Sequence, residues 1–347
     1  MIIRNLIIAA VAAVVPAVAQ GRSIAAADDA VQWHGRAIVT ADSAVRFNFP
    51  GVAALLNFSG PELRMATSPG SGYFVVETDS LSPVKVQFTD ADSVLTLVSG
   101  LPEGPHSARI TYAIEGYEMK PEVRWFEAEE FLPAPERPKL KIEFIGNSIT
   151  CGYGTEANDP KIRFSYDTEN HTLTYACLTA RALGAEANVV ARSGIGVYRN
   201  YNGPREGNKE QTMPLEYEHT MLYVDSLPWD FSRFRPDIVC INLGTNDLST
   251  SNYDINLYRE AMGRFVDRVM ALNPGAKIVL LTGAMMSGKE LADARSALDS
   301  VAACRPGVYR FDMTPEDGSL GYGADYHPSA ARARVMAREL TEFLKTL

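Results

Sequence analysis

Apolar positions along the chain follow two different rhythms. From residue 28 to 132 they come in short alternating runs: RAIVT, AVRFNF, AALLNFS, ELRMATS, GYFVVETD, VKVQFT, VLTLVSG and HSARITYAI. Gly, Pro, Ser and Asp punctuate them. Short, regularly spaced strands of this kind predict an all-β sandwich. Residues 133–138 carry Pro133, Pro135 and Pro138. Proline cannot donate to a sheet ladder and stiffens the chain, so this segment reads as a linker between domains.

From 139 to 347 the rhythm changes. Strand-like runs (KIEFI, NVVA, DIVCINL, KIVLL, VYRFDM) alternate with helix-like ones (LTYACLTARAL, INLYREAMGRFVDRVMAL, KELADARSALDSVAA, AARARVMARELTEFL). Asp254 and Ser287 stand where N-caps are expected, and Gly184 where a C-terminal stop is expected. Alternation of strands and helices predicts an α/β domain with a mainly parallel sheet covered on both faces. Ligands bind such sheets at the carboxyl ends of the strands.

Residues 1–19 have an early charge, Arg4, then an apolar run closing on Ala17-Val18-Ala19. That order is a cleavable signal peptide, cut after Ala19, and implies a secreted or periplasmic protein. No other apolar run approaches the ~20 residues needed to span a bilayer. With 33 basic and 42 acidic residues the net charge is −9. That excess of acid argues against nucleic acid or an anionic membrane as partner. The four cysteines, Cys151, Cys177, Cys240 and Cys304, show no CxxC spacing. Buried free thiols are expected rather than two bridges. No metal-ligand spacing occurs, so neither a metal nor another cofactor is expected.

Four short segments carry candidate chemistry, each at a strand's carboxyl end or in the loop beyond. Gly146-Asn147-Ser148-Ile149-Thr150 follows the first strand of the α/β region, Ser193-Gly194-Ile195-Gly196 the second, and Gly244-Thr245-Asn246-Asp247 the third. Asp325-Tyr326-His327-Pro328-Ser329 precedes the last helix. The chain lacks the G-x-S-x-G elbow of the α/β-hydrolases. Gly283 to Lys289 reads GxxxxGK, but Glu290 stands where a phosphate loop needs Ser or Thr, so nucleotide binding is not expected. His34, His106, His171 and His219 are expected in surface or capping roles.

On these residues the region 139–347 resembles the SGNH (GDSL-like) hydrolases, whose blocks supply a serine, a glycine, an asparagine and a histidine. Here they match Ser148, Gly194 or Gly196, Asn246 and His327. IEFIGNSITCGYG, SGIGVYRNYNG and WDFSRFRPDIVCINLGTND, with the β domain before them, are further similar to carbohydrate esterase family 2. In that family a jelly-roll domain precedes a three-layer SGNH domain, and members remove acetyl groups from plant polysaccharides such as xylan or glucomannan. The resemblance implies acyl transfer by Ser148, with His327 as base and Ser148, the block-two glycine and Asn246 as oxyanion donors. Strand alignment favours Gly196 over Gly194. The wider pattern places an orienting Asp three residues before the histidine, but that position is Ala324; Asp325 is the expected triad acid, with a backbone carbonyl as the alternative. Tyr153, Tyr198 and Trp229 are candidates for sugar stacking. The expected partner is an acetylated polysaccharide or oligosaccharide, bound by a monomer. The alternatives are another small acyl or lipid ester, or a carbohydrate-binding protein with weak hydrolysis.

Overall fold

The computed structural model describes residues 21–250 and 252–347. The expected signal peptide lies outside the described residues. Among them, no helix is long and apolar enough to cross a membrane.

The β domain consists of two six-stranded antiparallel sheets. One orders Ile38–Val39, Val45–Arg46, Glu122–Ala128, Leu63–Thr67 and Val94–Val98, with Arg22–Ala25 also on Glu122–Ala128. The other orders Glu130–Leu132, Ala53–Ser59, Pro105–Tyr112, Gly72–Thr78 and Val84–Phe88, with Val31–His34 also on Ala53–Ser59. Alternation in AALLNFS puts Ala54, Leu56 and Phe58 into the core. Phe47, Phe74 and Tyr112 meet edge to face between the sheets. Sequence patterning missed four strands: Arg22–Ala25, Val31–His34, Glu122–Ala128 and Glu130–Leu132. The first of these, Arg22–Ala25, pairs with Glu122–Ala128, so the sheet takes in residues before 28. In EVRWFEA an inward acid hid the pattern: Glu122 is buried because Arg46 pairs with it.

Residues 133–138 carry no strand or helix but are tied down. Asn57 donates to Pro133 O at 2.8 Å and Gln32 to Pro135 O at 2.6 Å.

The second domain has five parallel strands: β1 (Lys141–Gly146), β2 (Glu186–Ala191), β3 (Ile238–Asn242), β4 (Lys277–Thr282) and β5 (Val308–Asp312). Their order is β2-β1-β3-β4-β5. Strand β3 is buried along its whole length, as a strand covered on both faces must be. The helices are α1 (Ser148–Cys151), α2 (Tyr175–Ala182), α3 (Met213–Glu216), α4 (Ile255–Leu272), α5 (Gly288–Ala303) and α6 (Ala330–Leu344). Helices α2 and α6 pack together in one core, and α4 and α5 in another, which gives three layers. Asp254 caps α4 through Asn256 N and Leu257 N, and Gly184 closes α2 with φ +60°. Ser287 stands at the start of α5 but its side chain makes no cap bond.

The two domains share buried polar contacts. Arg36 of the β domain is fully buried and donates to Glu143 of β1 at 3.2 Å. Asn48 exchanges hydrogen bonds with the Leu222 backbone at 2.9 and 3.0 Å. The β domain is therefore part of the scaffold that shapes the sheet's carboxyl edge.

Candidate active site

The strand order reverses at β1, so a crevice opens beside that strand's carboxyl end. Strand β1 ends at Gly146, where a Cβ would lie 2.0 Å from Thr150 Oγ1; only glycine lets α1 fold back so sharply. Asn147 caps α1, its Oδ1 accepting Ile149 N–H at 3.1 Å. Ser148 is thereby held as the first helical residue, 7% exposed, against a cavity of about 1150 Å³.

His327 Nε2 lies 2.9 Å from Ser148 Oγ. The ring's other nitrogen, Nδ1, faces the Ala324 carbonyl at 3.1 Å. Asp325 does not take the place expected of a triad acid. Its Oδ2 accepts from Tyr153 Oη at 2.7 Å and Phe164 N at 3.2 Å, and its Oδ1 pairs with Arg163 at 3.1 Å. The physical reason is the backbone. Asp325 (φ 45°) and Tyr326 (φ 62°) are both left-handed, so the chain reverses tightly and aims the Ala324 carbonyl at the imidazole. Of the two glycines just before this turn, Gly321 is left-handed at φ 70° and Gly323 has an ordinary φ of −77°. Burial pushes the Asp325 carboxyl up, but the bonds from Tyr153 and Phe164 and the charge of Arg163 together hold it below the usual carboxylate range. Burial pulls His327 down to about 4.

Tyr153 lines the cavity and lies flat on His327, ring centroids 4.0 Å apart and planes 22° apart. Phe164 stacks on its other side at 4.4 Å. The other two expected sugar-stacking residues lie elsewhere. Tyr198 is buried, its hydroxyl accepting Asp254 N–H at 2.9 Å. Trp229 is buried against Arg36 at 5.0 Å and Arg233 at 4.9 Å. Apolar surface drew both into packing. Tyr201 does line the cavity and is 60% exposed. Two histidines expected in surface or capping roles are also buried: His34 beside Gln32 at 2.7 Å, and His171 against the Thr150 carbonyl at 2.9 Å.

Gly196 was favoured as oxyanion donor, but its N–H goes to Asn200 Oδ1 at 3.0 Å. The close approach of Arg199 O, 1.9 Å from a Cβ at that position, explains the glycine. Gly194 lines the cavity instead, at φ +79°. Among the described residues no acceptor takes its N–H. Asn246 also lines the cavity; its Nδ2 donates one hydrogen to Ile195 O at 2.8 Å, leaving the second free. Asp247 Oδ1 gathers the N–H groups of Val197, Tyr198 and Arg199 at 2.8, 2.8 and 3.2 Å, so it braces the loop after β2.

One functional neighbour was invisible in the sequence. Glu115, in the β domain, accepts Ser193 N–H at 2.6 Å and the Ser193 hydroxyl, one residue from Gly194. No periodicity or motif marks it. Glu115, Cys151 and Glu169 place ligand atoms within 4.8 Å of one another, all buried. Burial raises all three groups, Glu169 and Cys151 strongly, with the Glu115 charge adding to both. All four cysteines are free thiols; Cys304 is exposed, the other three buried. Lys289, in the GxxxxGK run, pairs with Asp293 and faces no phosphate loop.

A parallel sheet carrying a Ser–His pair and clustered amide donors at its carboxyl edge defines a serine hydrolase of the SGNH type. The chain belongs to the GDSL-like lipase/acylhydrolase family, whose model matches residues 144–335, and to carbohydrate esterase family 2, whose N-terminal model matches residues 33–135. It is 36% identical to the cellulase/esterase CelE of Acetivibrio thermocellus over 91% of its own length, but spans only 39% of that protein. It is 30% identical to an acetylxylan esterase / glucomannan deacetylase of Cellvibrio japonicus, covering 94% of this chain and 91% of that one. A solved family-two carbohydrate esterase from Clostridium thermocellum, in complex with cellohexaose, superposes with TM-score 0.83 at 34% identity, over 91% of this chain and 98% of that one.

Proposed function

We propose that this protein is a secreted, monomeric serine esterase that removes O-acetyl groups from a polysaccharide of the xylan or glucomannan type. The observation that carries the reading is the 2.9 Å contact between His327 Nε2 and Ser148 Oγ, in a cavity that Gly194 and Asn246 also line. Names of relatives support the substrate class: an acetylxylan esterase / glucomannan deacetylase, and an esterase seen with cellohexaose.

Nδ1–H donates to the Ala324 carbonyl, which leaves the Nε2 lone pair facing Ser148. With its pKa near 4, His327 is neutral at neutral pH and can act as base. Ser148 Oγ attacks the acetyl carbonyl while Nε2 takes its proton. The oxyanion receives hydrogen bonds from the N–H groups of Ser148 and Gly194 and from Asn246 Nδ2. The tetrahedral intermediate collapses; Nε2–H protonates the departing sugar oxygen and the acetyl group stays on Ser148. Water, deprotonated by His327, then releases acetate. Ser148 and His327 form the reacting dyad. Tyr153, held by Asp325, keeps the imidazole in plane.

The test is acetate release from acetylated xylan, glucomannan, pectin and a synthetic aryl acetate. Release from xylan or glucomannan supports the reading. Release from the aryl ester alone would place the natural substrate outside the polysaccharides.

A further inference from the structure

Five charged residues line the catalytic cavity: Lys161, Arg163, Arg192, Glu290 and Asp325. Two of them, Arg163 and Asp325, neutralise each other at 3.1 Å. Arg192 stands apart. Among the described residues no carboxylate comes within 4.0 Å of its guanidinium, and its Nε is buried without a hydrogen-bond partner. The nearby acid, Glu115, turns both oxygens to Ser193. What holds Arg192 in place is aromatic: it lies over Tyr117 at 5.4 Å and Tyr223 at 5.7 Å, and those rings brace each other edge to face. A stacked guanidinium loses few rotamers on binding and presents a planar fork matched to a carboxylate. The Glu115 charge is felt by Arg192, but its oxygens are taken up by Ser193, and the cavity that Arg192 lines is where a second anion can arrive.

Its place in the site says which anion. Arg192 Nη1 lies 3.5 Å from where a Cβ on Gly194 would be, so the guanidinium borders the oxyanion donor. A group bound there sits close to the reacting acetyl ester. On a polysaccharide, the carboxylate available at such a distance is that of a sugar acid attached to, or next to, the acetylated ring. We propose that Arg192 is an anion subsite for the carboxylate of a uronic acid, and that the preferred substrate is an acetylated polysaccharide bearing uronate beside the acetyl group. This rests on the deacetylase reading above and narrows it.

The experiment compares kcat/KM on two acetylated xylo-oligosaccharides that differ only in a glucuronic acid branch, for the wild-type protein and for Arg192→Gln and Arg192→Lys. Charge-assisted bonds of this kind predict a wild-type preference for the acidic substrate of about tenfold to a hundredfold. Arg192→Gln should bring that ratio close to one, and Arg192→Lys should keep part of it. The preference should shrink as salt is raised. A wild-type ratio of one or below overturns the proposal, as does a ratio unchanged in Arg192→Gln. A sulfated branch preferred over the uronate overturns the carboxylate assignment. If Arg192→Gln does not fold, the wild-type ratio and its salt dependence decide. If the wild type releases acetate from neither substrate, the deacetylase reading falls. Binding of the glucuronic acid oligosaccharide to the intact protein by calorimetry, against its neutral twin, then decides the subsite.

Discussion

Asp325 and His327 stand two residues apart, and no oxygen of the carboxylate comes within 4.0 Å of an imidazole nitrogen. The carboxylate binds Tyr153, whose ring lies on the imidazole, while the Ala324 carbonyl occupies the position a triad acid would fill. Asp325 is thus a positioning residue one contact removed. Asp325→Ala should lower kcat on an aryl acetate by roughly tenfold or less, through a looser Tyr153, far short of the ~10⁴ loss when a triad acid's function is removed. A loss near ~10⁴ in a folded variant would return Asp325 to the triad.

Ser148→Ala should abolish turnover while preserving the fold, since a triad-type nucleophile acts as a unit with its base; the expected loss is about 10⁶ in kcat. Acetate release by a cleanly melting Ser148→Ala protein at more than trace rate would rule out the acyl-enzyme route.

The pH profile follows from the burial of His327. The base is its neutral form. Burial pulls the group down to about 4, against an unperturbed value near 6.5. Protonation in the free enzyme therefore begins only as pH falls toward 4. The acid limb of kcat/KM should lie well below pH 6 and fall as a single ionisation. An acid limb centred near 6.5 would mean that the imidazole is solvated in the working enzyme.

Glu115 reaches across from the β domain to hold Ser193, one residue from Gly194. Removing that grip should loosen the oxyanion donor. Glu115→Ala and Ser193→Ala should each lower kcat by about tenfold with KM little changed, a fraction of the 10²–10³ for losing a donor outright. The double variant should be no worse than Glu115→Ala alone, because the hydroxyl contact that Ser193→Ala breaks is one of the two already lost with Glu115. Additive losses, or a fall in thermal stability with kcat intact, would give Glu115 a purely structural part.

Chelation tests the buried Glu115–Cys151–Glu169 cluster. The serine mechanism has no step through a metal. Activity after exhaustive dialysis against EDTA should remain within about twofold of the starting value. Loss restored by zinc or calcium would reassign the cluster as a cation site.

Much of this protein is local, and local features are readable. All five parallel strands and the four long helices were placed by hydrophobic period, α4 and α6 with their observed boundaries. Among the strands that the period missed, Val31–His34 and Glu122–Ala128 carry buried polar residues. Arg46 sits 76 positions from the Glu122 it neutralises, a pairing no short window contains.

The amino-acid order by itself determined the two-domain plan, the parallel sheet and the four segments, carrying Ser148, Gly194 or Gly196, Asn246 and His327, that would have to meet. Strand period and turn residues act over a few positions, so they survive without a fold around them. Which atom faces which was decided only in three dimensions. Two left-handed residues turned Asp325 away from His327 and brought a carbonyl in. Asn200 took the Gly196 N–H and left Gly194 to the cavity. Arg36 drew Trp229 into a buried stack. A glutamate from the other domain closed the loop after β2. Hydrogen bonds reach about 3 Å and depend on direction, so their partners are chosen by backbone path and packing between segments distant in the chain.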